Sequence, residues 1–302
     1  MAINLAAIKD LLLPGLHDIF GDYNEIPAQW SQVFEKAKSD KASERQVEIR
    51  LLGLAQLRAE GAPTQYDNGM GQRYVYNYLN RGVGLGFIIT RNAIKDNQYK
   101  QDFGPNTAAL KRSFLQTKEI YAANVLNNAA TYDSTIGGDG VSLVNTAHPI
   151  DGATVANRPA VDVELNETTL QDGVIAVRRF KDAAGLRYLS KAKKLIVPVE
   201  QEFTARRILK TELRVGTSDN DLSAIRDMGI FGDEPVVMDF LTSPKYWFIK
   251  TDAPTGLTYM EREPFETDML VDFDTDNLKV KAYERYTFGY GNWRTIYGSL
   301  PT

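Results

Sequence analysis

Apolar residues along this chain switch between two periods, three-to-four near the N-terminus and in three later stretches, and two elsewhere. Leu5, Ile8, Leu12, Leu16 and Ile19 recur at helical spacing, which predicts an amphipathic helix bent near Pro14. Trp30, Val33, Phe34 and Ala37 make a second short pattern after Pro27, and a polar run follows over 36–45. Residues 1–44 are therefore expected to form an arm with little core of its own; an ordinary helix pair packed on its own domain is the alternative. Residues 46–90 turn strand-like on both sides of EGAPTQYDNGMGQ (60–72), a segment full of turn signals. That pattern predicts a long β-hairpin or extended loop with a flexible tip, which needs another surface to lie against.

Pro105 suits a first helical turn and predicts a long helix over about 105–130. Leu110, Phe114, Tyr121 and Val125 make one stripe of it, and Leu115, Ala122, Leu126 and Ala129 its neighbour. Such a helix is roughly 37 Å long. GGDG (137–140) predicts a turn and 141–149 a short strand ending in His-Pro. A helix over 167–184 is expected to be capped by Asn166 and closed by Gly185. KKLIVP (193–198) predicts a buried strand, and Pro198 opens a third helix with Phe203, Ile208 and Leu209 on its apolar side. Strands follow over 236–241, 246–252 and 256–263, with a last strand pair in 278–298. Helices and mainly antiparallel strands mix without βαβ alternation, so the fold class is α+β.

Composition removes several chemistries. The 302 residues include no cysteine, which excludes disulfides, thiolate nucleophiles and cysteine-held metals. With two histidines, His17 and His148, a multi-histidine metal site in one chain is not expected. A net charge of -4 is not that of a basic nucleic-acid binder. The apolar start is interrupted by Lys9, Asp10 and Pro14, so neither a signal peptide nor a membrane span is expected.

The remaining motifs are weak. Gly82, Gly84 and Gly86 in GVGLGF miss the G-x-G-x-x-G spacing of a dinucleotide site; alternate glycines instead bare one strand face for the approach of another backbone. Asp272, Asp274 and Asp276 begin like a calcium loop, but Asn277 and Tyr283 stand where glycine and glutamate belong, so a solvated acidic turn is expected. His148 has Ser142 and Thr146 before it but no nucleophile elbow, so a structural histidine is favoured over a hydrolase base. No cofactor, metal or catalytic residue is expected. Tyrosines cluster at 66–78, and tyrosines with Phe288 and Trp293 at 283–297, as interfaces or as ordinary strand packing would require.

SLVNTAHP (142–149), the helix–strand–helix run over 165–209, YWFIKTDAPTGLTYMEREP (246–264) and FGYGNWRTIYG (288–298) stand in the order seen in one family. Together they resemble Mu-like major head proteins, the major capsid proteins of tailed double-stranded DNA bacteriophages. The resemblance implies the Hong Kong 97 fold. On that fold residues 1–44 are an N-terminal arm and 45–90 an extended loop. Residues 91–152 with 262–302 make a peripheral domain crossed by a spine helix, and 153–261 an axial domain. It also implies a structural, non-enzymatic subunit of the virion, assembled with itself as pentamers and hexamers around packaged DNA that it does not read by sequence. A separate scaffolding protein, a portal and a decoration protein are the further partners implied; no membrane is. An encapsulin-like compartment has the same fold and is the alternative.

Some relatives join subunits covalently through a loop lysine. Here no lysine lies between Lys41 and Lys95, and the loop carries Arg50, Arg58, Arg73 and Arg81 instead. Guanidinium groups stay protonated and suit paired contacts with carboxylates. The expected partners on a neighbouring subunit are Glu261, Glu263, Glu266 and Asp268.

Overall fold

This computed structural model describes residues 28–95, 99–212, 222–232 and 234–302. The helix expected from Leu5 to Ile19 lies outside the described residues. In chain order the elements are α1 (Trp30–Val33), β1 (Glu35–Lys38), β2 (Ser43–Arg50), β3 (Gly71–Leu79) and β4 (Arg81–Ile89). Then come α2 (Arg91–Lys95), α3 (Tyr99–Asn127), β5 (His148–Ile150), β6 (Ala153–Val155), α4 (Glu167–Arg178) and β7 (Ala192–Val197). The rest are α5 (Glu202–Lys210), α6 (Ala224–Asp227), β8 (Val236–Val237), β9 (Trp247–Thr251), β10 (Leu257–Val271), β11 (Leu278–Tyr290) and β12 (Ile296–Ser299).

Two four-stranded sheets, ordered β1-β10-β11-β4 and β12-β9-β7-β8, are joined by α3 and its surroundings. Period two is clean in β11: Leu278, Val280, Ala282, Glu284 and Tyr286 are buried, while the residues between them are not. Helix α3 answers with Leu110, Phe114, Lys118, Ala122 and Leu126, one residue every fourth position. Phe114 packs with Met269, Leu278 and Val280, and Ala122 and Leu126 with the larger core that includes the second sheet. Burying a side chain such as Phe114 stabilises the packing by roughly 1.5–3 kcal/mol.

Several expectations shift. Helix α3 begins at Tyr99, so Pro105 stands inside it rather than in its first turn. Its buried line runs through 114, 118 and 122, which turns Tyr121 outward to 46% exposure and leaves Val125 at the margin. Helix α4 has the expected cap, with Asn166 and Thr169 bonding reciprocally, but it ends at Arg178. Gly185 lies beyond, at φ 84° in a turn where the Asp182 carboxylate accepts from Leu186 N. β5 starts at His148 because Val144 N and Asn145 N bond elsewhere, to Ala129 O and the Asn157 side chain. The last strand pair divides: β11 belongs to the first sheet, and β12 pairs with β9 in the second. The second short N-terminal pattern is core. Val33 and Phe34 are buried, the Trp30 ring sits 4.4 Å from that of Tyr259, and β1 runs parallel to β10.

The expected hairpin is β2 paired with β3, from Ser43↔Leu79 to Arg50↔Gly71. Between them residues 51–70 form no strand and present Leu51, Leu52, Leu54, Leu57, Tyr66 and Met70 to solvent. β4, within the stretch assigned to the loop, pairs with β11. Its glycines do bare one face: at Gly86 the neighbour is backbone, as expected, with Val280 O 2.5 Å from where a Cβ would stand, whereas at Gly82 and Gly84 the neighbour is the Tyr283 ring. A Cβ on Gly82 would stand 2.5 Å from the Tyr283 hydroxyl and one on Gly84 3.6 Å from its ring.

Candidate functional site

The root of the β2/β3 hairpin is held by one carboxylate. Asp151, in the turn between β5 and β6, pairs with Arg50 at the end of β2 and lies 3.5 Å from Arg73 of β3. Further out, the Asp67 carboxylate accepts from Gly53 N and Gly69 N at 2.7 Å each, drawing the two limbs together. Those two bonds hold the Asp67 carboxyl below its ordinary range. Arg58, nearer the tip, donates to Thr64 Oγ1 at 3.1 Å. Arg81 opens β4 opposite Tyr286, which itself stands opposite Glu261.

The acidic set lies on β10. Glu261 pairs with Lys36 at 2.8 Å, Glu263 with Arg285 at 3.6 Å and Asp268 with Lys281 at 3.6 Å, while Glu266 faces Tyr283 across the strands. Within one chain the structure does not bring Arg50, Arg58 or Arg73 to these carboxylates. Arg81 shares a row with Glu261 but is two strand spacings away, about 10 Å.

Sequence reasoning missed the polar centre beneath the hairpin. Asn157, fully buried, donates from Nδ2 to the carbonyls of Leu143, Trp293 and Ile296. Its Oδ1 therefore faces Asn145 N at 2.8 Å and His148 Nε2 at 3.0 Å, so Nε2 carries a proton. His148 Nδ1 meets Asp139 at 2.6 Å, with a proton between them, since two bare acceptors would repel. The His148 ring stacks on Trp293 at 4.2 Å, and the Arg294 guanidinium lies 4.3 Å from that ring. Arg294 reaches Glu48 of β2 at 2.8 Å, linking this centre to the hairpin. Both ring nitrogens of His148 are thus occupied. Ser142 Oγ donates to Val144 O and accepts from Asn145 Nδ2, away from the imidazole, so the parts of a hydrolytic pair are present but not assembled. No spacing signal marks Asn157 or Glu48: Arg294, which holds Glu48, and the Trp293 and Ile296 carbonyls on Asn157 lie more than a hundred residues away, and the nearer Asn157 partners fall at no motif spacing.

Two other polar features stand apart from this centre. Lys118 and Glu284 form a buried pair at 2.7 Å between α3 and β11, and burial pushes the Glu284 carboxyl up against the opposing pull of Lys118. A cavity of about 280 Å³ opens between α3, β3, β4 and β11, lined in part by Arg81, Tyr121, Asn124, Asp133 and Tyr290. At the β10–β11 turn Asp272 is taken by Lys279 and Thr275, and Asp276 by Arg91. Among the described residues no group of three or more acidic or histidine side chains is placed to hold a metal ion.

A family model described as phage capsid protein matches residues 82–299. The chain belongs to the phage capsid protein family. It is a structural protein of the virion shell, and its mixed helix-and-sheet fold recurs in solved capsids. The procapsid of bacteriophage JBD30 superposes with a TM-score of 0.54 at 14% identity, over 99% of this chain and 77% of that one. Microbacterium phage Oxtober96 gives 0.54 at 12% identity, over 91% and 90%. A virus-like particle from Pyrococcus furiosus gives 0.55 at 9% identity, over 94% and 98%. No curated protein matches the sequence. For this capsid protein the hairpin root, the sheet faces and the buried centre are parts of a building unit, and the exposed loop is its most conspicuous unfilled surface.

Proposed function

We propose that this capsid protein is the major shell subunit, closing on itself as pentamers and hexamers through the loop over residues 51–70. The carrying observation is the apolar content of that loop. Leu54 is 77% exposed and Leu57 fully so, with no cover from the described residues of their own chain. Isolated exposed leucines are ordinary, but this many on one rooted loop mark a surface made for a partner. Asp151 and Glu48 hold the root of the loop against the body and Asp67 ties its two limbs together, so ordering costs little when a second copy arrives. Arg58 and Arg81 are the loop cations best placed to meet the β10 carboxylates Glu261, Glu263, Glu266 and Asp268 of a neighbour. Arg50 and Arg73 are already engaged at the root, which lowers their claim to that role.

On this reading α3 is the spine helix of a peripheral domain over 91–152 and 262–302, and 153–261 is the axial domain. The shell encloses double-stranded DNA without reading its sequence, performs no catalysis, and is built with a separate scaffolding protein, a portal and a decoration protein. The likeness to the Pyrococcus furiosus particle favours a second reading, a protein compartment of encapsulin type. Electron microscopy of the purified protein at high concentration tests assembly: shells, rings or tubes are expected, and a uniform monomer would refute it. The content of the particles separates the two readings, DNA for a virion and a cargo enzyme for a compartment.

A further inference from the structure

The register of the second sheet sets Lys194 of β7 directly opposite Lys250 of β9, with Ile296 of β12 completing the row. Like charges directly opposite one another destabilise a sheet. Elsewhere the chain supplies carboxylates to its lysines, as in Lys36–Glu261 at 2.8 Å, Lys279–Asp272 at 2.9 Å and Lys210–Glu234 at 3.2 Å. Here it does not. Lys194 gives one proton to the Gln32 carbonyl at 2.9 Å, and among the described residues no carboxylate forms an ion pair with Lys193, Lys194 or Lys250. Burial holds the Lys250 ammonium below the ordinary lysine range; Glu35 opposes this, and Lys194 and Lys193 deepen it. Lys250 is therefore a half-buried ammonium that faces Lys194 across the strands and feels Lys193 beside it, with Glu35 acting on it through its charge but forming no ion pair with it. An anion from outside the chain would relieve both the repulsion and the burial.

We infer that Lys193, Lys194 and Lys250 form a seat for a phosphodiester of duplex DNA, held by charge without base readout. This rests on the reading of the protein as a shell around DNA. Duplex DNA presents a charge about every 1.7 Å along its axis, so a fixed cluster finds a phosphate in any register. Lysine is suited to such a backbone, because a point charge on a flexible stem tolerates irregular phosphate positions, whereas an arginine fork demands a set geometry.

The test uses the full-length protein and a fluorescent duplex of arbitrary sequence, with anisotropy followed against salt. Lys194→Gln with Lys250→Gln should flatten the slope of log affinity against log salt by about 0.9 for each phosphate no longer neutralised. Lys279→Gln with Lys281→Gln removes the same charge from lysines already paired, and should leave the slope unchanged. An unchanged slope in the first variant, or an equal fall in both, overturns the proposal. So does displacement of the duplex by stoichiometric inorganic phosphate at constant ionic strength, which would make this a site for the free anion. Lys250→Gln alone should melt no lower than the unmodified protein, because it removes a repulsion; a lower melting temperature would reveal a partner within the chain and overturn the seat. Shells that form normally while the slope stays unchanged would leave the capsid reading standing and remove this one.

Discussion

At the residue scale, the buried groups divide by how many partners depend on them. Asn157 satisfies three carbonyls with its amide protons and receives two donors, so its removal strands several buried groups at once. Each stranded group costs about 1–3 kcal/mol. Asn157→Ala should therefore destabilise the fold by about 3 kcal/mol or more, read as a shift in the urea midpoint at constant slope. A loss below about 1 kcal/mol would mean that water replaces the amide. Glu284 offers a pH test. Its carboxyl is raised above the ordinary value by burial, with Lys118 opposing. A raised folded-state value gives stability that is complete below the unfolded value and fades as pH rises through the folded one. Relative to Glu284→Gln, the unmodified protein should lose melting temperature from pH 4 towards neutrality; parallel curves would show that the carboxyl is not perturbed. None of these roles is legible from neighbouring residues. His148 is recognisable as structural from what surrounds it in sequence, but Asp139, Asn157 and Trp293 as its partners are not.

At the element scale, legibility follows periodicity. The long helix, the cap at Asn166 and the strand content of the C-terminal third are visible because each is set by residues a few positions apart. Element ends are lost where a tertiary contact decides them. Helix α4 stops at Arg178 because Phe180 is needed in the core and Asp182 is needed by Leu186. The short N-terminal pattern resembles an arm because four apolar residues cannot disclose that β10 and Trp30's aromatic neighbours lie more than two hundred positions downstream. Helix α3 gives the direct test. Ala122 is fully buried in mid-helix, and a proline there removes a backbone bond and clashes with the preceding turn, costing about 3 kcal/mol or more. Ala122→Pro should accumulate as insoluble protein. A soluble variant that still assembles would show that α3 is not continuous at that point.

At the scale of the whole molecule, the candidate contacts are the least legible part, since they join copies and leave no mark within one chain. The cationic loop is visible in sequence, yet Arg50 and Arg73 are engaged by Asp151, a residue with no distinguishing pattern. The loop also holds no amine that could form an amide bond with a neighbour, because its cations are all arginines. Boiled particles should run on a denaturing gel as one band near 33.8 kDa. A ladder of multiples would show a covalent link made elsewhere.

The strand order of the first sheet also fixes when a subunit can exist. β1 and β4 find their partners only in β10 and β11, about two hundred residues later in the chain. At about 5–20 residues per second of synthesis, the early strands wait some tens of seconds on the ribosome before that sheet can close. A chain cut short by a stalled ribosome or a nonsense codon before Leu278 lacks the strand on which β4 closes. Completion of translation thus acts as a checkpoint: a fragment cannot present a finished face to its neighbours, and truncated products are kept out of the growing particle by topology alone.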